Sequence, residues 1–213
     1  MIPVTAAALA AETGGRVIGD PTATAAVWDF DSRRVAADGC FVALRGHRDG
    51  HDFAGEALAA GARIALVDHV PDGLEPETGR ALVVVPDVVG ALQTFAAARR
   101  RDRSDLTVIA VAGSTGKTSP KDLLAASAVT VGCSANAESF NNEFGLPLTI
   151  CNAPAAARVL VTEMGERRPG DLALLCEVAR PDAAVVTNVG MAHAEHLGGP
   201  EGAAAVIGEL LEI

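Results

Sequence analysis

Residues 108–118 read VIAVAGSTGKT, an apolar run that leads into a glycine-bounded loop ending in Gly-Lys-Thr. A buried strand would deliver the chain to this loop, where Gly113 and Gly116 would let the backbone approach phosphate oxygens. A helix that begins near Lys117 would add free amides and the positive end of its dipole, and Thr118 could ligate Mg2+. The spacing Gly-x-x-Gly-Lys-Thr is shorter than the wider P-loop pattern, so a glycine turn that merely caps a helix is the alternative to an ATP site.

Composition limits the classes of partner. The chain has 213 residues, of which 49% are hydrophobic and 21% are charged. This is enough for a buried core and for two modest domains. The formal net charge of -10 argues against nucleic acids and anionic membranes as partners, because both bind clustered positive charge.

Cysteine usage and hydropathy predict the compartment. The four cysteines lie too far apart for the paired Cys-x-x-Cys spacing of a zinc site or a redox couple. Cys40 precedes an apolar run and is expected to be a buried thiol. The sequence does not open with the charged segment and long apolar segment of a secretory signal peptide. No uninterrupted apolar run approaches the length of about 18 residues that is typical of a membrane-spanning helix. We therefore expect the protein in the reducing cytoplasm.

The pattern of apolar residues changes near residue 104. Before it, one helical stretch at 53–60 alternates with short β-type runs at 25–30, 40–44, 63–67 and 81–85. After it, strand-like runs alternate with helical patterns; the runs are 108–112, 159–162 and 183–187, and the helical patterns are 121–129, 172–179 and 202–211. This alternation predicts parallel strands with crossover helices. We predict an α/β chain with domains at 1–103 and 104–213.

Further expectations concern single residues. The Arg-rich stretch at 99–103 is interpreted as a solvated helix end, where the helix dipole favours cations. Trp28, in an apolar run, is expected in the core. His47 and His69 have no metal-like partner at short spacing and are expected on the surface.

Several other motifs reach beyond what periodicity can interpret. They are DSRRV at 31–35, DGCFVALRG at 38–46, DGHDF at 49–53, SFNNEFGLPLT at 139–149, TEMG at 162–165, RPD at 180–182 and TNVGMAHAE at 187–195. In this order, with GSTGKT at 113–118 between the first group and the rest, they closely resemble the Mur ligases. The resemblance covers about residues 15–213.

The resemblance implies an ATP-dependent amide ligase. Enzymes of this family use ATP to phosphorylate a substrate carboxylate, and an amine attacks the acyl phosphate to give an amide, ADP and phosphate. The fold it implies is a small N-terminal α/β domain that holds the UDP end of a cell-wall precursor, followed by a truncated P-loop central domain with a parallel sheet that binds ATP and magnesium. A C-terminal Rossmann-like domain carries the amine in the family.

The resemblance also implies roles for particular residues. Lys117 would hold the β- and γ-phosphates, Thr118 and Glu163 would ligate one Mg2+, and His193 would ligate a second metal. Lys117, Glu163 and His193 would form the catalytic set. The other nucleotide-binding residues would be Gly113, Ser114, Thr115, Gly116, Ser119 and Asn188. The residues at the UDP-linked substrate would be Ser32, Arg33, Asp49, Gly50 and His51, with Asn141 and Asn142 on the acceptor side.

The chemistry of these residue types supports the roles independently. Phosphoryl transfer places charge on phosphate oxygens, which a lysine and metal ions on hard oxygen ligands stabilise. Thr118, Glu163 and Asn188 fall just past the ends of predicted strands, where ligands of doubly wound sheets collect. The alternatives are that Glu163 is an exposed acid that closes a strand, and that His193 is a plain surface histidine.

Three features depart from the family pattern. The family places a lysine, often described as carbamylated, in a helix downstream of the histidine, and the matching position here is Ile207. Pro120 stands where a threonine is usual, either at the last tolerated place of the helix start or loosening the loop. The sequence ends at Ile213, before the rest of the central domain and the amine-binding domain.

These departures leave three functions open. The chain is a Mur-type ligase that needs missing domains or a partner chain, a catalytically degenerate protein that binds a nucleotide or UDP-sugar, or a related enzyme recruited to natural-product chemistry. A sheet truncated after 183–187 would expose an edge and an apolar helix face. We therefore expect the C-terminal half to self-associate or to bind a partner chain.

Overall fold

The computed structural model describes residues 1–137, 140–190 and 199–211. Contacts divide the chain into two compact units, Met1–Phe95 and Ala96–Ile213. This division lies slightly earlier than the domain boundary between residues 103 and 104 that the sequence predicts. That domain boundary stays a prediction. Within the described ranges, every helix is too short or too polar to cross a membrane.

The first unit is an α/β unit built on a mixed sheet. Its strands are β1 (Val4–Thr5), β2 (Arg16–Gly19), β3 (Thr24–Ala25), β4 (Val27–Asp29), β5 (Gly39–Val42), β6 (Ile64–Val67) and β7 (Ala81–Val84). Its helices are α1 (Ala6–Thr13) and α2 (Ala54–Ala59), with a 3₁₀ turn at Gly50–Phe53, and α3 (Val88–Asp102) follows. The sheet order is β2-β7-β6-β5-β4, parallel except for the β2–β7 pair, and β1 pairs with β3 separately.

Apolar side chains on both faces explain the central position of β5 and β6. Every residue of both strands is buried, as expected for parallel strands that are covered on each side. Cys40 is fully buried, and Trp28 is 3% exposed and stacks on Phe95 with ring centroids 5.0 Å apart. His47 and His69 are exposed. The expectations for these residues are confirmed.

The second unit is built on an all-parallel sheet. Its strands are β8 (Thr107–Ala112), β9 (Cys133–Ala135), β10 (Val159–Glu163) and β11 (Ala183–Val186), in the order β11-β8-β10-β9. Its other helices are α4 (Thr118–Ser127), α5 (Gly145–Cys151), α6 (Asp171–Ala179) and α7 (Pro200–Gly208), with 3₁₀ turns at Val129–Val131 and Glu209–Leu211. All described strand pairs of this second sheet run parallel. The predicted α/β fold with parallel strands and crossover helices is confirmed.

Some elements have no counterpart among the sequence-based expectations. Helix α1 carries clear signals, since Thr5 caps its start by accepting from Ala8 N–H at 3.1 Å and Gly14 ends it with φ 65°. Strand β9 is three residues of low β-propensity, and α5 begins Gly-Leu-Pro. Sequence pattern alone therefore indicates α1 better than it indicates β9 or α5.

The Arg-rich stretch closes α3, but only Arg101 and Asp102 of it are exposed, which corrects part of the sequence-based interpretation. Arg100 and Arg103 are each only 8% exposed. Arg100 donates to the carbonyls of Ala179 and Arg180 and to the Asp182 carboxylate at 2.8–3.0 Å. Arg103 donates to carbonyls before β10. The fork of guanidinium donors thus satisfies carbonyls near the N-terminal ends of the parallel strands.

Pro120 lies where α4 tolerates it. The first bond of i→i−4 type in this helix runs from Lys121 N–H to the Lys117 carbonyl at 3.2 Å. Pro120 is the third residue of the helix, and the amide that it lacks would have no partner inside the helix. The proline therefore removes no helical hydrogen bond.

Helix α7 and the 3₁₀ turn that follows it bury one apolar stripe against α6. Ala203, Val206, Ile207 and Leu210 are each at most 5% exposed, at the i, i+3, i+4, i+7 spacing of one helix face. The Glu209 carboxylate accepts the amides of Gly170 and Ala173 at 2.7 and 3.0 Å, so it caps the start of α6. Ile207 is therefore a core residue.

Replacing Ile207 tests this assignment. We expect Ile207→Lys to lower the melting temperature by about 10 °C or more, because burying an ammonium group costs several kcal/mol. Ala205→Lys, at an exposed position of the same helix, is the matched control and should change it little. A gain in ATP-dependent phosphate release by Ile207→Lys, with unchanged melting, would contradict the core assignment.

Candidate nucleotide and metal site

The predicted phosphate loop, residues 113–118, leaves the carboxyl end of β8 and leads directly into α4. Glu163 is the last residue of β10, and Asn188 follows β11. Because β8, β10 and β11 are parallel neighbours, their carboxyl ends meet at one edge of the sheet. This edge is where ligands of open parallel sheets bind.

Glu163 is the centre of a polar group at this edge. Its backbone pairs in register with Val111 of β8. Thr118 Oγ1 donates to Glu163 Oε2 at 2.8 Å, and Asn141 Nδ2 donates to Glu163 Oε1 at 2.9 Å. The structure thus brings together the two predicted Mg2+ ligands, Thr118 and Glu163, with Asn141, which the sequence analysis placed on the acceptor side of the substrate.

Lys117 lies beside this group with a partner that the sequence analysis missed. Its Nζ donates to the Gly113 carbonyl at 2.7 Å and lies 3.3 Å from Glu166 Oε2. The Glu166 side chain is 2% exposed and that of Lys117 14%. A charge so deeply buried needs a counter-ion. The only sequence signal for Glu166 is its position just after the TEMG motif.

The two loop glycines serve different purposes. At Gly113, with φ 134°, an added Cβ would lie 2.3 Å from Thr187 Oγ1, so a side chain is excluded by close packing. At Gly116, φ is 73° and the space around a Cβ is open. Gly116 therefore supplies backbone conformation alone, whereas Gly113 supplies both conformation and packing.

Asn188 braces the loop from the β11 side. Its Nδ2 donates to the Thr115 carbonyl at 3.0 Å, and its backbone carbonyl accepts from Ser114 N–H at 3.1 Å. Thr187 Oγ1 also donates to the Thr115 carbonyl, at 2.7 Å. Ser114 Oγ accepts from Gly190 N–H at 2.8 Å. These contacts hold the loop in shape before any ligand is considered.

The remaining predicted residues of this site differ in position. Asn142 Oδ1 accepts from Gly145 N–H at 2.9 Å, at the start of α5. Ser119 is exposed as the second residue of α4. His193 lies outside the described residues, so its proposed metal-binding role is not addressed by the geometry.

The donor set fits a nucleotide with magnesium. The hydroxyl of Thr118 and the carboxylate of Glu163 are the hard oxygen ligands that Mg2+ prefers. The first turn of α4 presents amides without helical partners and the positive end of the dipole toward the loop. Lys117 adds a full positive charge beside them.

The predicted substrate residues of the first unit form a separate group. Arg33 donates twice to Asp31, through Nε at 2.9 Å and Nη2 at 2.7 Å, and these bonds lower the pKa of Asp31 to about 2. Arg33 is 76% exposed, whereas Ser32 is buried. Gly50 packs closely against the backbone of Leu44. A Cβ atom at position 50 would lie 2.5 Å from the Leu44 carbonyl oxygen, so a side chain does not fit there.

His51 is buried, and protein groups occupy both ring nitrogens. Nδ1 lies 2.6 Å from Asp49 Oδ1, and Nε2 accepts from Asp68 N–H at 3.0 Å. The hydrogen bond from the His51 amide is the main cause that lowers the pKa of Asp49. His51, Asp68 and His69 also offer possible metal-ligand atoms within 4.8 Å of one another, an arrangement invisible at short sequence spacing. Here these atoms bond one another and Arg45.

Known families match both units of the chain. The "Mur ligase family, catalytic domain" matches residues 29–100, and the "Mur ligase middle domain" matches residues 111–212. The chain belongs to the Mur ligase family. The resemblance recognised from the sequence motifs is thereby confirmed.

Individual Mur ligases are similar over most of the chain. The UDP-N-acetylmuramoyl-tripeptide–D-alanyl-D-alanine ligase of Mycobacterium leprae is 39% identical over 208 residues, covering 85% of this chain and 39% of the relative. MurF from Acinetobacter baumannii has a TM-score of 0.87 and 28% identity, over 99% of this chain and 46% of that one. MurF ligase from Thermotoga maritima in complex with ADP has a TM-score of 0.76 and 34% identity, over 87% and 43%. The chain spans less than half the length of these Mur ligases.

A pair of glycine variants tests the packing of the Mur-type loop. We expect Gly113→Ala to lower the free energy of unfolding by about 2 kcal/mol or more, because the new methyl group collides with Thr187. Gly116→Ala meets open space and should cost about 1–2 kcal/mol, the penalty of left-handed backbone alone. Urea denaturation measures both. Equal losses would show that Gly113 is not closely packed.

Proposed function

We propose that this chain binds Mg-ATP at residues 113–118 and supplies that site to an ATP-dependent carboxylate–amine ligase of the Mur type. The observation that carries the proposal is the Thr118–Glu163 hydrogen bond of 2.8 Å beside Lys117, at the carboxyl edge of a parallel sheet. Membership of the Mur ligase family and the likeness to an ADP complex of MurF support it.

Each residue has a stated task in the proposed site. Lys117 and the first-turn amides of α4 bind the β- and γ-phosphates. Thr118 and Glu163 hold Mg2+, which when bound neutralises charge on the phosphate oxygens. Asn141 orients the Glu163 carboxylate on the acceptor side, where a substrate carboxylate is phosphorylated and then attacked by an amine.

The proposed substrates follow the names of the relatives. We infer that the first unit binds the UDP end of a UDP-linked muramoyl peptide near Ser32, Arg33 and the loop at 49–51, and that the amine is D-alanyl-D-alanine. The buried ring of His51 would stabilise this loop through its hydrogen bonds to Asp49 and Asp68. We place the reaction in the cytoplasm, where the four free cysteines stay reduced.

Nucleotide binding by Lys117 is the direct test. Calorimetric titration with a non-hydrolysable ATP analogue and Mg2+ should give saturable binding, and Lys117→Ala should weaken it by about tenfold or more, because a charged phosphate contact is worth about 1.5–3 kcal/mol. Arg158→Ala is the control, since Arg158 is an exposed cation that precedes β10, at the opposite edge of the sheet. Absence of binding at millimolar nucleotide, or an unchanged affinity in Lys117→Ala, would refute the proposal.

A second candidate is a nucleotide-binding protein without ligase activity. The observation that favours it is the burial of Ile207, at the position where the family resemblance implies a carbamylated lysine. ATP-dependent phosphate release in the presence of both proposed substrates separates the two functions. Release that requires the amine supports ligation, whereas binding without release supports the second candidate.

We also propose self-association through the second unit. Strand β11 is an edge of the described sheet, and Val186 and Val189 near it are 37% and 48% exposed. Such edges pair readily with another chain. Light scattering at micromolar concentration should show a dimer, burying on the order of 1,000 Å2 or more, and Val186→Lys should shift it toward monomer. A monomeric wild-type chain would contradict this proposal.

A further inference from the structure

Asn136 is a buried polar residue that no motif of the sequence singled out. It follows β9 directly and is 3% exposed. Its Oδ1 accepts from Glu163 N–H at 2.8 Å, and its Nδ2 donates to the Glu163 carbonyl at 3.1 Å and to the Phe140 carbonyl at 2.9 Å. One side-chain amide therefore bonds both backbone groups of Glu163.

This pairing continues the sheet beyond the end of β9. The β9–β10 ladder runs in parallel register up to Ala135 opposite Val161, and Asn136 N–H still donates to the Val161 carbonyl at 3.3 Å. From there the Asn136 side chain takes the place of the next backbone amide. Both backbone groups of Glu163 therefore face Asn136. Strand β8 holds this point of β10 through the next residue, whose Met164 N–H donates to the Val111 carbonyl at 2.9 Å.

Asn136 also contacts the segments that hold Thr118 and Asn141, the two residues whose side chains bond the Glu163 carboxylate. Its bond to the Phe140 carbonyl fixes the residue before Asn141, which donates to Glu163 Oε1. Its backbone carbonyl accepts from Lys121 Nζ at 3.1 Å, and Lys121 is a buried residue of α4, the helix that begins at Thr118. Asn136 therefore contacts all three segments that hold these side chains: α4 for Thr118, the segment before α5 for Asn141 and β10 for Glu163.

We propose that Asn136 is a positioning residue that sets the orientation of the Glu163 carboxylate for Mg2+. The proposal rests on the proposed function of Glu163 as a metal ligand. Of the side chains that could stand here, an amide combines the required acceptor with two donors, whereas a hydroxyl or a carboxylate lacks at least one of them. Loss of a residue that orients a metal ligand lowers the affinity for the metal. We expect it to leave the contacts between Lys117 and phosphate unchanged.

This role makes a prediction that separates metal binding from phosphate binding. Lys117 and the loop 113–118 are held by Gly113, Asn188 and Glu166 rather than by Asn136. In Asn136→Ala, the affinity for the ATP analogue in EDTA should stay within about twofold of wild type. The enhancement of that affinity by Mg2+ should fall about tenfold, the lower end of the range for residues that support a metal ligand, as it should in Glu163→Gln.

Two further variants make the result decisive. Thr149→Val removes a different buried hydrogen bond of the same unit, from Thr149 Oγ1 to the Gly145 carbonyl at 2.9 Å, and should lower the melting temperature without changing the Mg2+ enhancement. Asn136→Asp keeps the acceptor for Glu163 N–H but turns a carboxylate oxygen toward the carbonyls of Glu163 and Phe140, so the Mg2+ enhancement should fall at least as far as in Asn136→Ala. A folded Asn136→Ala chain with the wild-type enhancement would overturn the proposal.

Hydrogen exchange followed by NMR tests the same claim without any ligand. The Glu163 amide should lose protection about tenfold or more in Asn136→Ala, because that amide bonds to the Asn136 side chain. The Met164 amide, which donates to the Val111 carbonyl at 2.9 Å, is the internal reference and should keep its protection. Equal protection of Glu163 in both chains overturns the positioning role. If wild type shows no Mg2+ enhancement, the proposed function fails, and the exchange result still decides the role of Asn136.

Discussion

The parallel register of β10 between β8 and β9 is the constraint on which the candidate site depends. It sets Glu163 opposite Val111, just before the loop that turns into α4. The carboxylate is then within hydrogen-bond distance of the first residue of that helix, Thr118. A slip of one residue would turn the Glu163 side chain to the other face of the sheet. The fully buried apolar core of β8 and β10 opposes such a slip, so the polar contact is positioned by apolar packing.

The two edges of the second unit's sheet use charge in opposite ways. Near the amino ends of the strands, Arg100 bonds three backbone carbonyls and Asp182, and Asp182 also accepts from Val108 N–H at 2.7 Å. These donors are committed to the fold. At the carboxyl ends, Lys117 bonds one carbonyl and lies beside Glu166. A single ammonium group can exchange such partners for phosphate oxygens more readily than a buried guanidinium can abandon four acceptors. Arg100 and the candidate ligand-binding Lys117 thus lie at opposite ends of the strands.

The sequence reveals much of this arrangement wherever the signal is local. The apolar runs around 108–112 and 159–162 and the GKT loop indicate strands, a phosphate loop and an acid at a strand end. Asn136, Glu166 and Arg100 could not be recognised in this way, because their meaning comes from partners that are 27, 49 and 79 positions away. Arg100 illustrates the failure most clearly, since an Arg-rich helix end normally indicates solvent exposure. Only the folded contacts reveal that its acceptors are buried carbonyls.

The candidate site therefore combines a rigid part with an exchangeable part. Glu163 has both backbone groups bonded to Asn136 and each carboxylate oxygen bonded to a side chain, so little ordering remains when a cation arrives. Lys117 has the opposite character, because a phosphate that binds its Nζ must share or displace the Gly113 carbonyl and Glu166. Displacement would leave the buried Glu166 carboxylate with less positive charge nearby, a cost that opposes phosphate binding. Magnesium affinity should thus depend on preorganisation, and phosphate affinity on the competition for Lys117.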